Sequence, residues 1–110
     1  MSDTRVTFDQ LNHFIRQTML ALGLPPDDAA TVARLMAQAD LQGSDGHGVI
    51  RIPQYARRIL AGGVNTTPTI RVKEERLATA LLDGDNGMGH LVMQRAADLA
   101  IEKARRCGIA

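Results

Sequence analysis

The chain has 110 residues, of which 45% are hydrophobic, enough for one small domain with a core of its own. With two Phe, one Tyr and no Trp, that core must come from Leu, Ile, Val, Met and Ala, which points to closely packed helices. A formal charge of +1 excludes a strong polyanion-binding field, and a single cysteine, Cys107, excludes an internal disulfide or a cysteine-built metal cluster.

The first predicted helix starts at Thr7, a capping residue, with Gln10 placed to complete a capping box and Val6 to staple onto Leu11. Phe8, Leu11, Phe14, Ile15, Met19 and Leu22 recur at helical spacing on one face, and Gly23 supplies the stop. His13 falls on the polar face beside Asn12, Arg16 and Gln17, where a solvated histidine is expected. Pro25 and Pro26 suit the first turn of a second helix, and Asp27 and Asp28 complement its positive dipole end. Its apolar stripe is Val32, Leu35, Met36 and Ala39, and it should end near Gln42.

A glycine-rich loop follows, Gly43-Ser44-Asp45-Gly46-His47-Gly48, and Pro53 then opens a short third helix that stops at Gly62-Gly63. Tyr55 lies four residues after Arg51, so one helical turn would put both on the side facing the loop. Next, Thr69 to Glu74 alternates apolar and polar residues and Leu77 to Leu82 is a second apolar stretch. A hairpin with Glu75-Arg76 at its tip would join them, although that pair is a poor turn former. Asp83-Gly84-Asp85-Asn86-Gly87-Met88-Gly89 is a loop, and a long fourth helix runs to about Arg106 with Met88, Leu91, Val92, Ala96 and Leu99 inward. Gly108 ends it, and Ile109-Ala110 read as the start of another strand, so the chain is expected to be a piece of a larger architecture. The fold class is therefore α+β: an N-terminal helical bundle, a β-hairpin and a long helix. Residues 1–65 form a helical domain bearing the loop, and residues 66–110 begin a truncated sheet domain.

His47 is the candidate for acid or base work, because an imidazole exchanges protons near neutral pH. Arg51 stays charged and offers a planar fork suited to a carboxylate. Together they suit a small acid bearing a hydroxyl or carbonyl beside its carboxylate: Arg fixes the acid while His handles the proton on the reacting oxygen. The plainer reading makes His47 a helix cap and pairs Arg51 with Asp45 or Asp40. The Gly84–Gly89 loop joins a strand to a helix, as phosphate-binding loops do, but its spacing fits no nucleotide fingerprint and Asp85 would repel a phosphate. His90 reads as structural, and Cys107 as a half-buried small residue.

Asp40-Leu41-Gln42-Gly43, His47-Gly48-Val49, Arg51, Pro53, Tyr55 and Ala61-Gly62-Gly63-Val64-Asn65 resemble the type 2 malate/L-lactate dehydrogenases, which also include ureidoglycolate, sulfolactate and diketogulonate oxidoreductases. The Asp83–Gly89 loop and Ala100-Ile101-Glu102-Lys103-Ala104 carry the same resemblance. It implies a non-Rossmann fold and hydride transfer between NAD or NADP and a small 2-hydroxy or 2-oxo acid such as malate or lactate. By position, His47 takes the role of catalytic proton donor, while Arg51 and Tyr55 contact the substrate. Gly46 stands where the family usually has Ser or Thr before the histidine, and Ser44 is the remaining hydroxyl placed as a substrate contact. The resemblance places the main cofactor-binding segments beyond Ala110, so that this chain alone is expected to be inactive, and it implies a homodimer at full length.

Two other readings use the same elements. Three helices and a hairpin also occur in winged-helix nucleic-acid-binding modules, with Arg57-Arg58 and Arg71-Lys73 facing phosphates, or the chain could be a non-catalytic dimerising remnant. The near-neutral charge and Asp45 in the loop argue against nucleic acid, so neither nucleic-acid nor membrane partners are expected. No signal peptide or bilayer-length apolar run is visible, and a cytoplasmic location and a metal-free site are expected.

Overall fold

The computed structural model describes residues 3–110. Helix α1 (Phe8–Ala21) begins with the capping box its sequence announces: the Gln10 amide donates to Thr7 Oγ1 at 3.1 Å and the Thr7 amide to Gln10 Oε1 at 2.9 Å. It ends at Gly23, whose φ of 103° lets the Leu24 amide reach back to the Met19 carbonyl at 3.1 Å. The short connection folds α2 (Pro26–Leu41) back along α1, with Pro at its start and Asp27 and Asp28 in its first turn. Gly43, at φ 82°, closes α2 in the same manner, the Ser44 amide donating to the Ala39 carbonyl at 2.8 Å.

The core lies on the α1–α2 seam. Ile15 and Met19 from α1, and Val32 and Met36 from α2, are fully enclosed, with Leu24, Ile59, Met88 and Leu91 closing around them. The expected stripe on α2 was incomplete. Ala29, Ala33 and Ala37 recur every fourth residue and are buried too, so the helices meet across small side chains. Leu35 and Ala39 are only half-buried. Phe14, placed on the inner face by its spacing, is instead 53% exposed, because it sits about 100° round the helix from the Ile15–Met19 row that meets α2. Val6 is also largely exposed, which leaves little of the expected staple.

After two 3₁₀ turns (Asp45–His47 and Val49–Arg51), α3 runs Ile52–Leu60. Strands β1 (Arg71–Glu75) and β2 (Ala80–Asp83) pair antiparallel with Val72 opposite Leu82 and Glu75 opposite Ala80, and an irregularity falls between Val72 and Glu74. The hairpin tip is therefore not Glu75-Arg76. Glu75 is still paired, and the turn is Arg76 to Thr79, closed by the Arg76 amide on the Thr79 carbonyl at 2.8 Å. Lys103 explains the shift. It lies on α4 (Gly89–Cys107), is only 7% exposed, and donates to the Arg76 carbonyl at 2.6 Å while pairing with Glu75 Oε1 at 2.8 Å. Cys107, half-buried as expected, adds an Sγ contact to the Leu77 carbonyl at 3.3 Å. Gly108 ends α4 with φ 84°, and Ile109-Ala110 belong to no strand among the described residues. No described helix is long and apolar enough to cross a membrane.

Candidate active site

The loop after α2 is held by one carboxylate. Asp40, in the last turn of α2, accepts the Val49 amide on Oδ2 at 2.8 Å. A side chain on Gly48 would run into that carboxylate, so the glycine is what allows the two 3₁₀ turns to close against the helix. Backbone bonds from His47 to the Ser44 carbonyl (2.9 Å) and from Arg51 to the Gly48 carbonyl (3.0 Å) set the spacing between imidazole and guanidinium. His47 and Ser44 are exposed on this loop. Arg51 folds back over it: Nε donates to the Gly46 carbonyl at 2.6 Å and Nη1 to Gln54 Oε1 at 3.0 Å. Its partners are thus a backbone carbonyl and an amide, while Asp40 serves the Val49 amide.

Tyr55, on α3, is half-buried and meets the ring of His90 edge-on, the centroids 5.7 Å apart and the planes at 82°. His90 stands in the first turn of α4. Burial, and secondarily the imidazole of His47, hold its pKa below the usual histidine value. Its Nδ1 is enclosed and has no hydrogen-bond partner among the described residues. Tyr55 and His90 therefore stand in ring contact, while Arg51 is tied to the neighbouring loop that carries His47 and Ser44.

Tyr55 and His90 also line an open-sided cavity of about 660 Å³ between α2, α3 and α4. Leu35, Val64, Met88 and Met93 make its walls apolar, and Arg58 brings a charge to it. His47, Arg51 and Ser44 are not among its lining residues. His90 was the residue that sequence reasoning set aside. Its one available signal was position, directly after a glycine-rich strand-to-helix loop.

That loop does not present itself to a phosphate. Asp85 and Asn86 take left-handed conformations, φ 52° and 55°. Asp85 Oδ2 accepts Asn65 Nδ2 at 3.0 Å and the Thr69 amide at 2.9 Å, and Asn86 Nδ2 donates to the Gly63 carbonyl at 3.1 Å. The Asp85 amide donates to Asp83 Oδ1 at 2.8 Å, which holds the Asp83 carboxyl below its usual range, with a lesser contribution from Arg71. A Cβ on Gly87 would come within 2.7 Å of Pro68, so the loop packs directly on the segment before β1. Its polar side chains brace residues 63–69.

A profile of the malate/L-lactate dehydrogenase family matches residues 6–110. The chain belongs to this family. Over 105 residues it is 45% identical to a malate dehydrogenase of Pyrococcus abyssi, a match covering 96% of this chain and 29% of that protein. Over 87 residues it is 41% identical to an L-sulfolactate dehydrogenase of Methanocaldococcus jannaschii, covering 79% of this chain and 25% of that protein. The solved structure of malate dehydrogenase from Pyrococcus horikoshii superposes with a TM-score of 0.89 at 45% identity, over 94% of this chain and 30% of that one. The chain thus spans under a third of the length of the curated relatives it matches. The order of helices and hairpin is that of the malate/L-lactate dehydrogenase fold, and no winged-helix module is needed to account for it.

Proposed function

We propose that this chain is the substrate-facing segment of an oxidoreductase that moves a hydride between NAD or NADP and C2 of a small 2-hydroxy or 2-oxo acid. The observation that supports the proposal is the match of residues 6–110 to this dehydrogenase family, with His47 and Arg51 on the loop that the Asp40 carboxylate holds. When bound, the nicotinamide cofactor supplies or takes the hydride. The polar side chains of the Asp85-Asn86 loop are taken up by residues 63–69, so the main cofactor contacts are assigned to other parts of a full-length enzyme.

His47 is the proton carrier. It donates to the oxygen at C2 when a 2-oxo acid is reduced, and takes that proton back in oxidation. Arg51 holds the acid's carboxylate. Its Nη2 has no partner among the described residues, and its two committed donors anchor the fork on the carbonyl of Gly46, the residue before His47 in the chain, and on Gln54. Tyr55, braced by His90, forms the wall against the substrate's carbon skeleton, and Ser44 contributes a hydroxyl at the mouth of the site. Residues 1–65 supply these contacts, and residues 66–110 join them to the sheet layer of a cytoplasmic homodimer.

The test restores the missing length. Residues 6–110 of this chain replace the matching segment of the Pyrococcus horikoshii malate dehydrogenase, and oxidation of NADH and NADPH is followed with 2-oxo acids. Turnover above the level of an enzyme lacking the segment is expected. A folded chimera that leaves the reduced cofactor unchanged with every 2-oxo acid contradicts the proposal.

A further inference from the structure

We infer that Asp45-Gly46 is a site of spontaneous backbone modification, at which Asp45 rearranges to isoaspartate and lengthens the main chain just before His47. The chemistry is independent of the reaction proposed above.

An aspartate or asparagine followed by glycine is open to attack by its own chain, because glycine has no side chain to obstruct the amide that attacks. The sequence holds three such pairs: Asp45-Gly46, Asp83-Gly84 and Asn86-Gly87. The fold restrains two of them. Asp83 is half-buried at the end of β2, where Oδ1 accepts the Asp85 amide at 2.8 Å and Oδ2 lies 3.5 Å from Arg71. Asn86 Nδ2 donates to the Gly63 carbonyl at 3.1 Å, and the Gly87 amide donates to the Gly84 carbonyl at 2.9 Å.

Asp45-Gly46 has none of these restraints. Both residues are exposed in the 3₁₀ turn Asp45–His47. Among the described residues the Asp45 carboxylate makes no hydrogen bond or ion pair, and the Gly46 amide has no acceptor. The turn is short, closed by the His47 amide on the Ser44 carbonyl at 2.9 Å and the Gly48 amide on the Asp45 carbonyl at 3.3 Å. Rotating Asp45 so that Cγ meets the Gly46 nitrogen therefore breaks little.

The Gly46 nitrogen bonds to Cγ of the protonated Asp45 carboxyl. Its proton and the carboxyl hydroxyl leave as water, and a succinimide ring results. A second water opens the ring. Attack at the Cγ carbonyl restores Asp45, whereas attack at the former main-chain carbonyl breaks its bond to the Gly46 nitrogen and leaves isoaspartate. The main chain then runs through Cβ and gains one carbon. The bond from the His47 amide to Ser44 spans that added carbon, and the Gly46 carbonyl that holds Arg51 Nε is displaced with it.

The 110-residue chain is aged in H₂¹⁸O near neutral pH, so that each passage through the ring leaves an ¹⁸O on the residue. Electron-transfer mass spectrometry locates the label and separates isoaspartate from aspartate. In the folded chain both should gather at Asp45 about tenfold or more faster than at Asp83 or Asn86, where a hydrogen bond must first open. In guanidinium chloride Asn86 should become the fastest site, because a side-chain amide closes the ring more readily than a carboxylate near neutral pH. Gly46→Ala, whose added methyl meets nothing within 4 Å, should keep the fold by circular dichroism and suppress the reaction at Asp45. In the aged chain the His47 amide should exchange faster, with α1 unaffected. Label that gathers first at Asp83 or Asn86 in the folded chain, no isoaspartate at Asp45, or an unchanged rate in Gly46→Ala overturns the inference. The same ranking of sites in guanidinium chloride shows that the fold does not select Asp45 and overturns it too. Unchanged exchange of the His47 amide overturns the effect assigned to the loop.

Discussion

Gly48→Ala offers a sharp test of how the loop is held. The added methyl would collide with the Asp40 carboxylate, and Asp40 Oδ2 is the acceptor of the Val49 amide at 2.8 Å. A carboxylate is the mobile end of a side chain, so it can swing aside, but only by giving up that bond. A hydrogen bond to a charged group contributes about 1.5–3 kcal/mol, and this one is only part-buried, so the lower end of that range, about 1.5 kcal/mol, is expected. Asp40→Ala removes the same bond without a collision and should cost a similar amount. In the double variant the methyl meets no carboxylate. The two losses should then fall short of adding by about 1 kcal/mol, as for residues in direct contact. Urea unfolding followed by circular dichroism reads this cycle from shifts in midpoint at constant slope. Additive losses would refute the claim that Gly48 is required because of Asp40.

His90 should make stability depend on pH. Its pKa in the folded chain lies below the unfolded value of about 6.5, so the unfolded state binds the proton more readily between those two values. Stability from this source is full above about 6.5 and is lost as pH falls toward the folded pKa. His90→Phe, which keeps a ring against Tyr55, should flatten the fall of the urea midpoint as pH drops below about 6.5, and curves that stay parallel to the original would contradict it. Lys103→Met should release the hairpin turn, with a cost of about 1–2 kcal/mol from the Arg76 carbonyl left without its donor. Faster exchange of the Arg76 amide, which donates to the Thr79 carbonyl, with α1 and α2 unaffected, is the expected signature, and unchanged exchange there would exclude a role for Lys103 as the clamp. Glu75, held below its usual range chiefly by the hydrogen bond from Lys103, should return toward that range in the same variant, which a carboxyl-resolved NMR titration reads directly.

The helices were legible because their signals are local. Thr7 and Gln10, Pro25 and Pro26, and Gly23, Gly43 and Gly108 act within a turn of where they stand. The hairpin tip was not legible, because the residue that sets it, Lys103, lies 27 positions after the Arg76 it binds. The alanine row of α2 was passed over because alanine carries a weak hydrophobic signal, although it lets two helices approach. In the site, the family motif led to His47, Arg51 and Tyr55, and helical spacing put the last two on one face. Two features lay outside its reach. The Arg51 side chain is bound largely by a backbone carbonyl, which no composition reveals. His90 reaches Tyr55 only once α4 has docked against α2, a tertiary event without a local pattern.

The central claim is that the His47 imidazole carries the proton of the reaction, and turnover of the chimeric enzyme with His47→Ala tests it most directly. The account predicts a fall in kcat of about a hundredfold or more, as for loss of a general acid–base group, with the cofactor still bound. A chimera that works equally well without that imidazole would contradict it.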